Sequence, residues 1–199
     1  MELALRRPIV GRMDSALIFF SGRYFYLAVM LTGVAGMTLA RTDGSASNQV
    51  HGSDRAFAVK AARGGKAEVE MGKLAADMAT KPEVKEFGKQ MADDHTKANE
   101  DLNSAAGKVG LDLPKEMSSK QTAEYEKLKR LTGDAFDREY VRMMATDHAQ
   151  DVNEFEKEIR SGKNDQIKGF ASRTLPVIQG HLDKIKTIQA EMLPKKGSK

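Results

Sequence analysis

The chain has 199 residues, 40% of them apolar and 6% aromatic, with no cysteine and no tryptophan. That is enough for one domain with a real core, and it excludes a disulfide framework or a cysteine-based zinc site. The formal charge of +4 falls to about +2 once residues 1–40 are set aside, so charge points to no nucleic-acid partner.

In chain order, residues 1–40 read as an export segment. Arg6, Arg7, Arg12 and Arg23 precede the apolar run 24–40, and small Thr38 and Ala40 suit a signal-peptidase site. The run also approaches the shortest membrane span, so the segment is either a cleaved signal peptide or an N-terminal membrane anchor, the chain's one expected contact with a membrane. Both outcomes place the rest of the chain outside the cytoplasm, in a bacterial periplasm. Residues 41–52, rich in Ser, Gly and Asn, form a flexible linker. Residues 194–199 form a frayed basic tail.

Between them, residues 53–193 carry four long amphipathic stretches, at 54–79, 82–109, 134–160 and 165–192. The first turn has Thr80 available as a cap and Pro82 at a first helical position. In the second turn, Gly162 and Asn164 are read as helix-ending residues. Residues 110–133 make a longer connection with a short helix at 120–131. Two short hairpins joined by one long crossover predict an all-α, ferritin-like four-helix bundle. The Gly64-Gly65 pair inside the first helix is expected to permit close helix packing.

A repeat marks the interior of that bundle. Phe87, Met91, Ala92, Asp94 and His95 share the pattern aromatic-x3-Met-Ala-x-Asp-His with Tyr140, Met144, Ala145, Asp147 and His148. Helical phase puts His95 in the seam with Phe87, Met91 and Leu102, and His148 in the seam with Tyr140, Met144 and Phe155. His181 lies at the edge of the stripe containing Ile178, Leu182 and Ile185. In the first helix Glu68 sits among Ala61, Gly65, Gly72 and Ala75 and points inward, whereas Glu70 shares a face with Lys66 and Lys73 and points outward.

Hairpin arithmetic then sets heights. Residues equidistant from a turn lie side by side in an antiparallel pair. Glu68 and His95 have their midpoint at 81.5, and His148 and His181 have theirs at 164.5, each in or beside a turn. At ~1.5 Å per residue the pairs lie roughly 20 and 25 Å from their turns. If the crossover puts the two turns at opposite ends, all four side chains meet near the middle. One carboxylate and three imidazoles in an apolar bundle make a candidate site for one transition-metal ion: zinc, iron, copper or manganese. Asp94, Asp147 and Asp151 are placed to orient these groups or to ligate directly. The structural alternative is a buried polar network that only satisfies itself.

These residues also carry a resemblance. Phe57, Gly64 to Val69, Gly72 to Ala75, Met91-Ala92-Asp93-Asp94-His95, Leu113-Pro114, Asp147-His148, Leu175-Pro176 and His181-Leu182 resemble the exported bacterial family called domain of unknown function 4142. The resemblance implies a ferritin-like bundle and export, and it assigns no activity. True di-iron bundles use Glu-x-x-His, but the residues three before His95, His148 and His181 are Ala92, Ala145 and Ile178.

The preferred expectation is therefore an exported binding protein with a buried His/Glu centre that holds a metal ion. The alternative is a structural or stress-related envelope protein whose polar network stabilises the bundle. A metal-dependent enzyme stands third, since no catalytic motif is present. A second copy of the chain or an envelope protein is the expected kind of partner.

Overall fold

The computed structural model describes residues 50–192. The export segment, the linker up to residue 49 and residues 193–199, with the basic tail, lie outside the described residues. Five helices run through the rest: α1 (Gly52–Met78), α2 (Pro82–Lys108), α3 (Ser119–Lys129), α4 (Gly133–Ser161) and α5 (Asp165–Met192). Among the described residues none of them is long and apolar enough to cross a membrane.

Local chemistry accounts for the boundaries. Pro82 opens α2 where a missing N–H costs nothing. Ser118 and Gln121 form a reciprocal capping box ahead of α3. Gly110 and Gly133, which bracket the crossover, hold φ of 65° and 58°, a left-handed backbone that a side chain would strain. Two expectations about turns are corrected. Thr80 does not cap α2, because its hydroxyl donates to Asp137 Oδ2 at 2.5 Å instead. Asn164 starts α5 rather than ending α4, accepting at Oδ1 from the Gln166 and Ile167 N–H groups at 3.1 and 3.2 Å.

Two buried aspartates set the topology. Asp137, near the start of α4, accepts from the backbone N–H groups of Thr80 and Lys81 in the α1–α2 turn, each at 3.0 Å. Asp54, near the start of α1, accepts from the Lys163 and Asn164 N–H groups in the α4–α5 turn at 3.1 and 2.8 Å. Both aspartates are fully buried. Each hairpin turn is thus tied to the first turn of the other hairpin, which puts the two turns at opposite ends. α1 packs mainly on α2, α4 on α5, α2 on α5 and α1 on α4, and α3 crosses outside α1 and α4. The crossover therefore travels from one end of the helical bundle to the other.

Apolar packing comes in two halves. Phe87, Met91, Tyr140, Met144 and Ile185 belong to one cluster, and Phe57, Leu102, Phe155, Phe170 and Ile178 to the other. On α2 and α5 the switch between clusters falls at His95 and His181, and on α1 and α4 it falls within about a turn of Glu68 and His148. Glu68 is 6% exposed, whereas Glu70 stays at the surface with Lys66 at 3.1 Å and Lys73 at 3.6 Å.

Substituting Asp137→Ala strands two backbone N–H groups and a hydroxyl at the α1–α2 turn. Urea unfolding should show a loss of about 2 kcal/mol, the cost of leaving partly buried donors unpaired; an unchanged midpoint would contradict the latch.

Candidate metal centre

Close backbone approach positions the first pair. A Cβ on Gly72 would lie 2.7 Å from the Gly88 carbonyl oxygen, and one on Gly65 would lie 2.2 Å from Asn99 Oδ1. Gly72, set against the α2 backbone, lets α1 lie close to α2, Gly65 leaves room for the Asn99 side chain, and between them Glu68 Oε2 comes 3.0 Å from His95 Nδ1. The other member of the pair differs, because a Cβ on Gly64 would meet nothing within 4 Å. Close packing thus explains Gly65 and leaves Gly64 unexplained.

The three imidazoles form a nearly equilateral triangle. Ring centroids are 5.6 Å apart for His95 and His148, 5.3 Å for His95 and His181, and 5.4 Å for His148 and His181. All three are buried, and one ring nitrogen from each lies within 4.8 Å of the others.

Their outer nitrogens are all accounted for. His148 donates from Nδ1 to the Met144 carbonyl at 3.0 Å, and a carbonyl only accepts, so the proton sits on Nδ1. His181 donates from Nε2 to Asp94 Oδ2 at 2.8 Å. His95 Nδ1 is the nitrogen facing Glu68. The remaining three, His95 Nε2, His148 Nε2 and His181 Nδ1, are buried with no hydrogen-bond partner. For His148 and His181 the tautomer that satisfies the outside leaves a bare lone pair inside.

Electrostatics follows from burial. Desolvation, then the neighbouring imidazoles, holds His95 well below the usual histidine range, and the same causes push His148 down to about 3. Burial, with Asp151 and Asp147 nearby, raises Glu68 well above the carboxylate range. Burial and Asp147 raise Asp151 to about 7. Tyr140, whose hydroxyl is also buried and unpartnered, is pushed up by desolvation and by Glu68.

Each anticipated residue now has a place. Glu68, His95, His148 and His181 meet at one height, with Glu68 behind His95. Asp94, on α2, reaches across to His181 on α5, and a chain of contacts through Gln90 to Lys184 holds it there. Asp151 lies against Glu68. Asp147, although it occupies the same motif position as Asp94, lines a cleft between α1, α3 and α4 instead. The Met144 carbonyl was not anticipated, and its only signal is that it lies one helical turn before His148.

The donor set fits a borderline transition metal. Neutral imidazole lone pairs suit zinc, copper and iron, and the outer oxygens of Glu68, Asp94 and Met144 supply the acceptors that usually orient metal-bound histidines. Metal–nitrogen bonds of about 2.0 Å imply nitrogen separations of about 3.3 Å in a tetrahedral site. The spacing of up to 4.8 Å is therefore wider than a closed site, and the rings would have to draw inward.

The comparisons with known proteins fit this fold. Residues 39–188 match the sequence profile of a family described as domain of unknown function (DUF4142). No curated protein matches the chain. Among solved structures, a DUF305 fragment from Deinococcus radiodurans is similar with TM-score 0.63 at 10% identity, covering 72% of this chain and 99% of its own. A DUF305 protein of Streptomyces coelicolor that carries a secreted-protein description gives 0.59 at 19%, covering 74% and 98%. A conserved hypothetical protein, rv2844, from Mycobacterium tuberculosis gives 0.56 at 12%, covering 74% and 96%. At these identities the likeness is one of fold.

A histidine whose folded pKa is depressed contributes stability that is complete above its unfolded value of 6.5 and is lost as pH falls towards 3. In the metal-free protein, long-range 1H–15N spectra should therefore show His148 neutral, with its proton on Nδ1, down to about pH 4. A midpoint near 6.5, or a proton on Nε2, would contradict the buried tautomer.

Proposed function

The chain belongs to the family described as domain of unknown function (DUF4142), and from that membership and the geometry of the centre we propose that it is an exported metal-binding protein. His95, His148 and His181 hold one transition-metal ion, and Glu68 and Asp94 hold the outer nitrogens of His95 and His181. Export is supported by the arginines and apolar run of residues 1–40.

The observation that carries the reading is the set of three buried ring nitrogens without a partner. A polar network retained only for stability would close on itself, since each unpaired buried group costs about 1–3 kcal/mol. Three such groups, one from each ring of a tight triangle, form instead a set of donors waiting for a shared acceptor. A metal cation is the acceptor that takes three lone pairs at once. Three neutral ligands leave the ion's charge unmatched, and the carboxyl groups of Glu68, Asp94 and Asp151 stand close enough to balance it.

Glu68 is assigned here to orientation rather than ligation, because Oε2 already faces His95. With imidazoles alone as ligands, zinc, copper and iron suit the site better than manganese, which favours oxygen. Three protein ligands also leave a tetrahedral ion one position for water or another small ligand.

Protein purified without an affinity tag should bind one equivalent of zinc or cobalt. At a hundredfold excess of metal over Kd, linkage adds about 2.7 kcal/mol, read as a rise in Tm of about 8 °C. His148→Ala should weaken binding at least a hundredfold. Absence of a shift with zinc, cobalt, copper and iron, or unchanged metal content in His148→Ala, would overturn the assignment.

A further inference from the structure

We propose that the cleft beneath α3 is the route by which a divalent cation reaches the three imidazoles, and that the Glu68–Asp151 carboxyl pair is where the cation is first taken up. The inference rests on the three-histidine reading above and adds a path and a receiving site to it.

Two spaces carry the argument. The outer cleft, about 450 Å3, lies between α1, α3 and α4, opens to solvent, and is lined by Glu68, Asp147 and Asp151 among others. A smaller space of about 30 Å3 adjoins it and touches His95, Asn99 and Thr174. The two share three lining residues: Gly64, Glu68 and Asp151. The carboxyl pair is therefore the partition between a solvent-connected cleft and a cavity that reaches a histidine of the centre.

Glu68 is built into that partition as a receiver. Its side chain is 7% exposed; Oε2 faces His95 Nδ1 on one side, Oε1 is buried without a hydrogen bond of ordinary length, and the Asp151 carboxyl lies within reach of the same group. Oε1 also lies 3.7 Å from His148 Nδ1, so one carboxyl borders two of the three imidazoles. Carboxylate oxygens take up hydrated divalent ions, and imidazoles then retain the borderline ones. Three basic side chains also line the cleft, Lys60 and Lys120, which are engaged in ion pairs with Glu154 and Glu124, and Arg63, and they face four carboxyls, Glu68, Glu124, Asp147 and Asp151.

Gly64 supplies an independent observation. Glycine weakens a helix interior, and here neither a positive φ nor a close neighbour calls for it. What it does is keep a side chain out of the space beside Glu68 and Asp151. A larger residue would fit without a backbone clash and would stand in the passage.

Stopped-flow loading of the full, untagged chain with cobalt(II), followed by its visible absorption, tests the route. Gly64→Leu should lower the association and dissociation rates together by at least tenfold, with Kd and the final spectrum unchanged, because a plug raises the barrier and not the end state. Gly64→Ala should fall between. Asp151→Asn, which keeps the shape and removes the charge, should slow loading at least fivefold. Wild-type loading rates in both Gly64→Leu and Asp151→Asn would overturn the route while leaving the three-histidine site standing. If Gly64→Leu alters the final spectrum, Asp151→Asn decides alone. A wild-type protein that takes up no cobalt would overturn both.

Discussion

A neutral imidazole carries one proton on two nitrogens, and in a bundle interior both nitrogens have to be accounted for. Three such rings buried at one height impose the rest of the centre. His148 and His181 each spend their proton on an oxygen outside the triangle, the Met144 carbonyl and Asp94, and Glu68 stands at the same outer position for His95. Protonating the rings instead would put like charges little more than 5 Å apart in a medium that screens poorly, which is why His95 and His148 are driven well below the normal range. The carboxyls respond in the opposite direction. Glu68 and Asp151, buried side by side, are raised, so the stability they contribute is whole below their unfolded values and is lost as pH rises towards their folded ones, about 7 for Asp151, while the imidazoles oppose the fold in acid. A cation at the triangle would relieve both strains at once.

Such a centre forms only if four helices keep one register, and the aspartate latches do that from opposite ends. They also reveal a shared plan in the two hairpins. Asp54-Arg55-x-Phe57 and Asp137-Arg138-x-Tyr140 carry the same pattern, and fourteen residues beyond each aspartate stand Glu68 and Asp151, the two carboxyls that meet. Eleven residues beyond, the plan divides. One hairpin has Gly65, packed against Asn99, and the other has His148. The polar centre is thus an asymmetric elaboration of a nearly two-fold scaffold, and it separates the apolar core into its two clusters.

Much of this was legible without coordinates. Helix ends fell within two residues of expectation because Pro82, Ser118, Gly110 and Gly133 act on their own neighbourhoods. The midpoints at 81.5 and 164.5 brought Glu68 to His95 and His148 to His181 because short turns leave an antiparallel pair no freedom of register. What was not legible depends on partners far along the chain. Asp54 and Asp137 bind turns 56 to 110 residues away, and no local pattern announces a buried aspartate whose acceptor role lies in another hairpin. Asp94 and Asp147 follow the same motif yet diverge, since one faces α5 and the other a cleft roofed by α3. Gly64 and Gly65 look alike in sequence, but the presence of Asn99 beside only one of them separates packing from open space.

Whether three imidazoles share one ion is read most directly by X-ray absorption at the metal edge of the zinc-loaded protein. The expected spectrum has a shell of four nitrogen or oxygen neighbours at about 2.0 Å, with outer-ring scattering that requires three imidazoles. A shell with one imidazole or none, or one made mainly of carboxylate oxygen, would contradict it.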